Sequence, residues 1–433
     1  MDNNRKTAFF ILRDIQEKKS YSNIAINRHI ERIEPESTAF VRELVYGTLR
    51  NLIKIDYVLD KLLKDPVEKT DVNSLVILRM GIYQLAGMNS VPDYAAVDEC
   101  VKMAKNLAKG RENFINGVLR SYIREKDNIE FPKKEDDFME YLSINYSFKP
   151  WTIEKWIREF GEDQIEDLLK ASNDTPRLTL RVNTLKVGRD QLIERLADKD
   201  IKSIPSTMSQ ETLHVEGGQI VKADLYKNGF YSIQDDSSYL AVKILDPQPG
   251  ETIIDTCAAP GGKSLAIAEK MGNKGRVIAF DIYVRKLKEI TDNAKRLGID
   301  IVETKSWDSR RTESSFQDKA DRVIVDAPCS ALGLIRRKPE IKYKEWDHKL
   351  AVDLMRTQLD ILKAAAEYLK PGGTLVYCTC TLDRGENEDV VKRFLQFDKT
   401  FTKEDDFILL PHINHTNGFY ICKMKKSSNI AEN

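Results

Sequence analysis

Three short stretches hold most of the side chains that could do chemistry. In DTCAAPGGKS (255–264), small residues and a glycine pair form a turn whose backbone can approach a ligand closely, with a helix starting behind it. DAPCSALG (326–333) sets Asp326 and Cys329 on either side of a proline that permits no regular helix. LVYCTCTLDRGENE (375–388) runs from an apolar strand into two cysteines one residue apart, then turns abruptly polar. A thiol is a nucleophile or a metal ligand as its thiolate, and otherwise among the most buried of side chains. Zinc needs four ligands. The C-x-C pair has no second cluster, and His29, His214, His348, His412 and His415 show no metal-ligand spacing, so no metal is expected. Alternation puts Cys378 and Cys380 on one face, with Cys378 reading as core and Cys380 at or past the strand's end. Cys380 and Cys329 both stand where a nucleophile would be useful.

The elements that must position these residues are four apolar runs: TIIDT (252–256), VIAFD (277–281), VIVD (323–326) and TLVYCT (374–379). Helical segments separate them, which implies a parallel sheet covered on both faces, an α/β fold. Ligands on such sheets bind at the carboxyl ends of the strands, so these polar ends are predicted to meet in one site. This region is expected over residues 231–433, ending in a frayed tail, KKSSNIAEN (425–433). Residues 1–130 read as an all-helical bundle: Phe9, Leu12 and Ile15 share a face, and Leu75, Leu78, Ile82 and Leu85 repeat at three- and four-residue steps. Residues 131–230 read as a small α+β linking domain, with strands in RLTLRVNTL (177–185) and TLHVEGG (212–218) flanking the helix GRDQLIERLADKD (188–200).

The glycine turn admits rival ligands. It lacks the G-x-G-x-x-G dinucleotide fingerprint. It matches the triphosphate loop G-x-x-x-x-G-K-[ST] at Gly262, Lys263 and Ser264, but Cys257 stands where the first Gly belongs, and Asp326 could pose as the magnesium-binding residue. The carboxylates favour another ligand. Asp281 ends the second strand about 20 residues past the turn, where a carboxylate accepts from ribose hydroxyls, and Asp308 follows a third strand facing an adenine edge. A ligand with ribose and adenine but no phosphates fits, and S-adenosylmethionine is such a ligand. The plain alternative for Asp281 and Asp308 is helix N-capping.

Bulk properties narrow the class. The 433 residues exceed what one core usually serves, and 41% hydrophobic with 31% charged residues is an ordinary soluble composition. A formal net charge of +0 gives no general affinity for nucleic acid or membrane, so any polyanion surface must be local. No signal peptide or bilayer-length apolar run is read, and six sparse cysteines argue against a disulfide framework; a cytoplasmic protein is expected.

CAAPGGKS, DAPCSALG and the Thr-Cys-Thr of YCTCT followed by ENE resemble the motifs of the RNA cytosine-C5 methyltransferases. The likeness spans about residues 230–425, including GFYSIQDDSS (229–238) and PHINHTNGFYICKM (411–424). The bundle, with FVRELVYGTLR (40–50) and ENFINGVLR (112–120), resembles the antitermination factor NusB, and the combination is similar to bacterial 16S rRNA cytosine-C5 methyltransferases. The resemblance implies a Rossmann-like S-adenosylmethionine-dependent domain behind a NusB-like bundle. It implies cofactor contacts from Cys257, Ala258, Ala259, Pro260, Gly261, Gly262, Lys263, Asp281, Asp308 and Asp326. It further implies catalysis by Cys380 as nucleophile, Cys329 in breakdown of the adduct, and Asp326. Enzymes of this kind acting on DNA attack with the Pro-Cys thiol instead, so the opposite division is chemically reasonable. Two departures stand out: Ala331 replaces a common Gly, and Asn417 an acid. The implied partner is 16S ribosomal RNA or a small-subunit assembly intermediate. LIRRKPEIKYKEW (334–346) offers Arg336, Arg337 and Lys338 to phosphates and Tyr343 or Trp346 to a base, with Arg177, Arg181 and Lys186 as a second surface. A related enzyme acting on transfer RNA and a non-catalytic RNA-binding assembly factor are the competing readings.

Overall fold

The computed structural model describes residues 2–218 and 220–428, so residues 429–433 of the expected frayed tail lie outside them. The chain divides into two compact units, Met1–Asp174 with Ile335–Trp346, and Thr175–Leu334 with Asp347–Asn433. The first boundary falls inside the stretch 131–230. Among the described residues, no helix is long and apolar enough to cross a membrane.

The first unit is helical throughout. Its central helix, Val72–Gly87, starts on Asp71, whose carboxylate accepts from the Ser74 N–H, and buries residues on every side. Around it Phe9, Leu12, Leu44, Leu59, Cys100 and Leu119 form one core. The twelve residues Ile335–Trp346, which follow the Cys329 turn in sequence, complete this unit rather than the other. Lys342 is fully buried and its ammonium donates to Arg50 O (2.7 Å), Tyr146 O (3.2 Å) and Asn173 Oδ1 (2.7 Å). Those three residues are the last of the helices Thr38–Arg50, Phe138–Tyr146 and Glu162–Asn173. Arg50 O and Tyr146 O are terminal carbonyls with no partner within their own helices, and Asn173 offers its side-chain oxygen while its amide also donates to Tyr146 O (2.7 Å). One lysine thus gathers three helix ends. Burial, and then the Arg50 charge, push its pKa well below the usual lysine range, while the oxygens and the Phe148 ring, 4.5 Å from Nζ, replace its water. The Tyr343 hydroxyl donates to Leu49 O and accepts from the Leu52 N–H. The expectation that Tyr343 meets an RNA base is therefore corrected, and Arg336 is buried as well.

The second unit contains two sheets. In the smaller, the strands β1 (Leu178–Val182), β2 (Lys202–Pro205), β3 (Thr212–Glu216) and β4 (Tyr231–Ile233) lie antiparallel in the order β2-β3-β1-β4. Arg181, expected on an RNA surface, is instead buried from the interior strand β1. It forms a two-point ion pair with Glu269, both N–O distances 2.9 Å. Lys186 likewise donates to the carbonyls of Asn228 and Arg296.

The larger sheet holds β5 (Thr252–Asp255), β6 (Arg276–Asp281), β7 (Val302–Ser306), β8 (Ala320–Asp326), β9 (Leu369–Thr379), β10 (Phe401–Leu409) and β11 (Phe419–Lys426), in the order β10-β11-β9-β8-β5-β6-β7. The five strands β7, β6, β5, β8 and β9 run parallel, and β11 joins β9 and β10 antiparallel. Two cores sandwich the sheet, one with Ile254, Phe280, Val325 and Tyr377, the other with Ile253, Val277, Ile324 and Cys378, as alternation along each strand requires. This is the expected Rossmann-like arrangement with an antiparallel edge. The chain order 5-6-7 on one side of β5 and 8-9 on the other puts a topological switch point between β5 and β8, where open sheets of this kind bind ligands.

Candidate active site

The glycine turn leaves β5 and enters the helix Gly262–Lys270. Gly261 has φ +100°, a conformation that costs a side chain dearly, and a Cβ there would press on Ile290 at 3.0 Å. Ala258 N–H donates to Phe280 O (2.8 Å), and Arg181 donates to Gly262 O (2.8 Å), so the turn is fixed from both sides. Ser264 Oγ donates to Asp255 Oδ2 at 2.6 Å, tying the helix start to the strand end. Lys263 is buried and bonds Asp326 at 2.5 Å, with the Phe419 ring 5.4 Å away. Burial disfavours its charge, but Asp326 outweighs that and holds its pKa above the ordinary value. The triphosphate-loop alternative fits poorly: its lysine is engaged by a carboxylate and its hydroxyl by another.

Asp255 was legible only as a strand end, yet it is fully buried, and burial pushes its pKa up to about 7. A carboxyl raised in this way leaves the fold unpenalised below its unfolded value and costs stability as pH rises through the folded one. Asp255→Asn is therefore expected to gain on wild type by up to roughly 4 kcal/mol between pH 4 and pH 8. Denaturant unfolding at both pH values checks this, and an equal difference at the two would refute it.

The other acidic residues lie where the spacing predicts. Asp281, at the end of β6, accepts from Ala259 N–H (3.2 Å) and Tyr283 N–H (2.9 Å), so it serves the glycine turn as well as the next helix start. Asp308 follows β7 and is clasped by Arg310, whose Nη2 lies 2.6 Å from Oδ2. The neighbouring Ser309 hydroxyl donates to Thr256 O, which draws this loop to the glycine turn.

The two thiol turns meet. Ala327 N–H donates to Cys378 O (3.0 Å) and Gly333 N–H to Cys380 O (3.0 Å), bringing Cys329 Sγ within 3.2 Å of Cys380 Sγ. A Cβ on Gly333 would lie 2.0 Å from Gly418 O, so no larger residue fits. Ala331 sits at φ +63°, a left-handed conformation that costs an alanine about 1–2 kcal/mol and suits the Gly it replaces. Asn417 donates to Asp235 Oδ2 at 2.8 Å, a position where an acid would face another acid. Cys329 and Cys380 are partly accessible, whereas Cys378 is fully buried with its pKa driven up by burial and the charge of Asp326. The hydrogen bond with Cys380, burial and the nearby Glu386 push the Cys329 thiol well above the usual range. Among the described residues, no group of three His, Cys, Asp or Glu could hold a metal ion. The arrangement brings together two thiols, one of them pushed toward its protonated form, beside a turn whose backbone can approach a ligand closely.

Residues 242–425 match the family model described as 16S rRNA methyltransferase RsmB/F, residues 2–124 the NusB family, and residues 149–222 the ferredoxin-like domain of RsmF/B-like methyltransferases. The chain is 36% identical to "Probable ribosomal RNA small subunit methyltransferase B" of Bacillus subtilis (strain 168), over 98% of each sequence. The crystal structure of PH0851 superposes with a TM-score of 0.83 at 25% identity, covering 98% of each chain. A methyltransferase homolog protein from Pyrococcus horikoshii gives a TM-score of 0.60 at 26% identity, over 67% of this chain and 99% of that one.

Proposed function

Because the chain belongs to the 16S rRNA methyltransferase RsmB/F family, we propose that it methylates carbon 5 of a cytosine in 16S ribosomal RNA through a covalent cysteine adduct. The carrying observation is the approach of Cys329 and Cys380 to 3.2 Å at the ligand end of the sheet. When bound, S-adenosylmethionine supplies an electrophilic methyl group. The residues present fit it: a close-approach turn over Cys257–Gly262, Asp281 and Asp308 for its nucleoside, and a Lys263 already neutralised by Asp326. A phosphate-free ligand suits such a site.

Carbon 5 of cytosine is too weakly nucleophilic to take a methyl group unaided. Cys380 adds as thiolate to carbon 6, and the electrons of the broken π-bond make carbon 5 nucleophilic. Negative charge collects near N3, where Asp326 acts as an acid, passing to the ring a proton drawn from the Lys263 ammonium it bonds. After methylation a base removes the carbon-5 proton, the ring double bond re-forms, and the bond to Cys380 breaks. Cys329, held as a thiol, donates its S–H to the departing sulfur.

RNA must present an unstacked base, which single-stranded or loosened segments do. Tyr21, with Lys338 and Lys344 over its ring at 5.0 and 5.2 Å, and the exposed Trp346 offer basic-aromatic contacts on the first unit. The deciding test is transfer of labelled methyl from S-adenosylmethionine to 16S rRNA, free or in small-subunit particles, with digestion to nucleosides. Label in 5-methylcytosine is expected. Label in transfer RNA alone would move the substrate, and RNA binding without label would favour an assembly factor.

A further inference from the structure

The motif that follows Cys380 ends in Glu386 and Asn387, and neither side chain faces solvent: both are 2% exposed. Each holds one thiol turn. Asn387 accepts from Thr379 Oγ1 (2.5 Å) and donates to Thr381 O (3.1 Å), so it brackets Cys380 on both sides. Glu386 Oε2 accepts from Ser330 N–H (2.9 Å), the residue after Cys329. The same oxygen accepts from Gln358 Nε2 (2.8 Å), and that amide also donates to Pro328 O (2.9 Å), the residue before Cys329. Gln358 comes from the helix His348–Ala366 and is fully buried. Ser330 Oγ and Thr381 Oγ1, 2.7 Å apart, join the two turns directly.

We propose that Glu386 and Gln358 are positioning residues that clamp the Cys329 turn from both flanks, seating its thiol on Cys380 so that it can assist adduct breakdown. The proline leaves Cys329 on irregular backbone, with no helix or ladder to fix it, so side chains must supply the missing bonds. The carboxylate also adds a negative charge that discourages ionisation of Cys329, in keeping with a donor role for that thiol. The release role rests on the covalent reading above, whereas the clamp itself does not.

The test uses the full chain and two variants that perturb the clamp differently. Gln358→Leu removes the donor shared by Pro328 and Glu386, and Glu386→Gln removes the charge while keeping an oxygen for Ser330. Without RNA, site-resolved alkylation by iodoacetamide should label Cys329 at least tenfold faster in both variants than in wild type. With RNA, both should turn over at least tenfold more slowly and accumulate adduct as Cys329→Ala does, with S-adenosylmethionine affinity within threefold of wild type. Wild-type alkylation and turnover in both variants would overturn the clamp, as would loss of S-adenosylmethionine binding together with adduct formation. If Cys329→Ala traps no adduct, the release role falls, and alkylation alone decides the clamp; the covalent reading falls only if neither cysteine variant nor wild type forms adduct.

Discussion

Replacing Cys380 by alanine is expected to lower methyl transfer to 16S rRNA by about a thousandfold or more and to leave no denaturant-resistant protein–RNA adduct. The size of the effect follows from the chemistry, since without addition at carbon 6 no other group in the site can make carbon 5 nucleophilic. Cys378 cannot substitute: it is fully buried, and burial with the Asp326 charge opposes its ionisation. Cys329 lies 3.2 Å from Cys380 but is itself pushed toward the protonated form. Cys329→Ala should behave differently, forming adduct and failing to release it. Electrophoresis in denaturant with labelled RNA separates the two. Adduct from Cys380→Ala but not from Cys329→Ala would give attack to the Pro-Cys thiol and refute this division of labour.

Lys342→Met should destabilise the first unit by on the order of 4 kcal/mol. Arg50 O and Asn173 Oδ1 lose the lysine's donor at once, while Tyr146 O keeps only the Asn173 amide, and a buried acceptor left unsatisfied costs about 1–3 kcal/mol. Methionine fills much of the same space, so the loss reports hydrogen bonds more than a cavity. The effect should be regional: hydrogen exchange should rise in the ends of the helices Thr38–Arg50, Phe138–Tyr146 and Glu162–Asn173, while β5, β8 and β9 keep their protection. Unchanged exchange at those three helix ends would show that Lys342 does not hold them.

The same lysine marks where sequence reading ended. The strands β5, β6, β8 and β9 were legible because each is a short apolar run closed by polar residues, and the parallel order followed from the helices between them. Asp281 and Asp308 were placed because strand-end carboxylates occupy a recurrent position. Lys342 and Tyr343 stand in a run of charges and aromatics that looks the same whether solvated, bound to RNA or buried. Their partners, such as Arg50 and Leu49, lie nearly 300 residues earlier, beyond any local pattern. Arg181 was misread for a similar reason. Its strand is interior to its sheet, so alternation could not say that it would pair with Glu269. Gln358 belongs to no motif, and only the fold brings its amide to Pro328.

The insertion of Ile335–Trp346 into the first unit also sets a timetable for synthesis. The first unit's main stretch ends at Asp174, but the segment that closes its helix ends is translated about 160 residues later. At elongation rates of about 5–20 residues per second, that is a wait of roughly 8–30 seconds. During it three helix termini are on the ribosome without their shared donor. The nascent bundle is then a natural client for chaperones, and a stop codon placed anywhere between the two segments yields a bundle that was never closed.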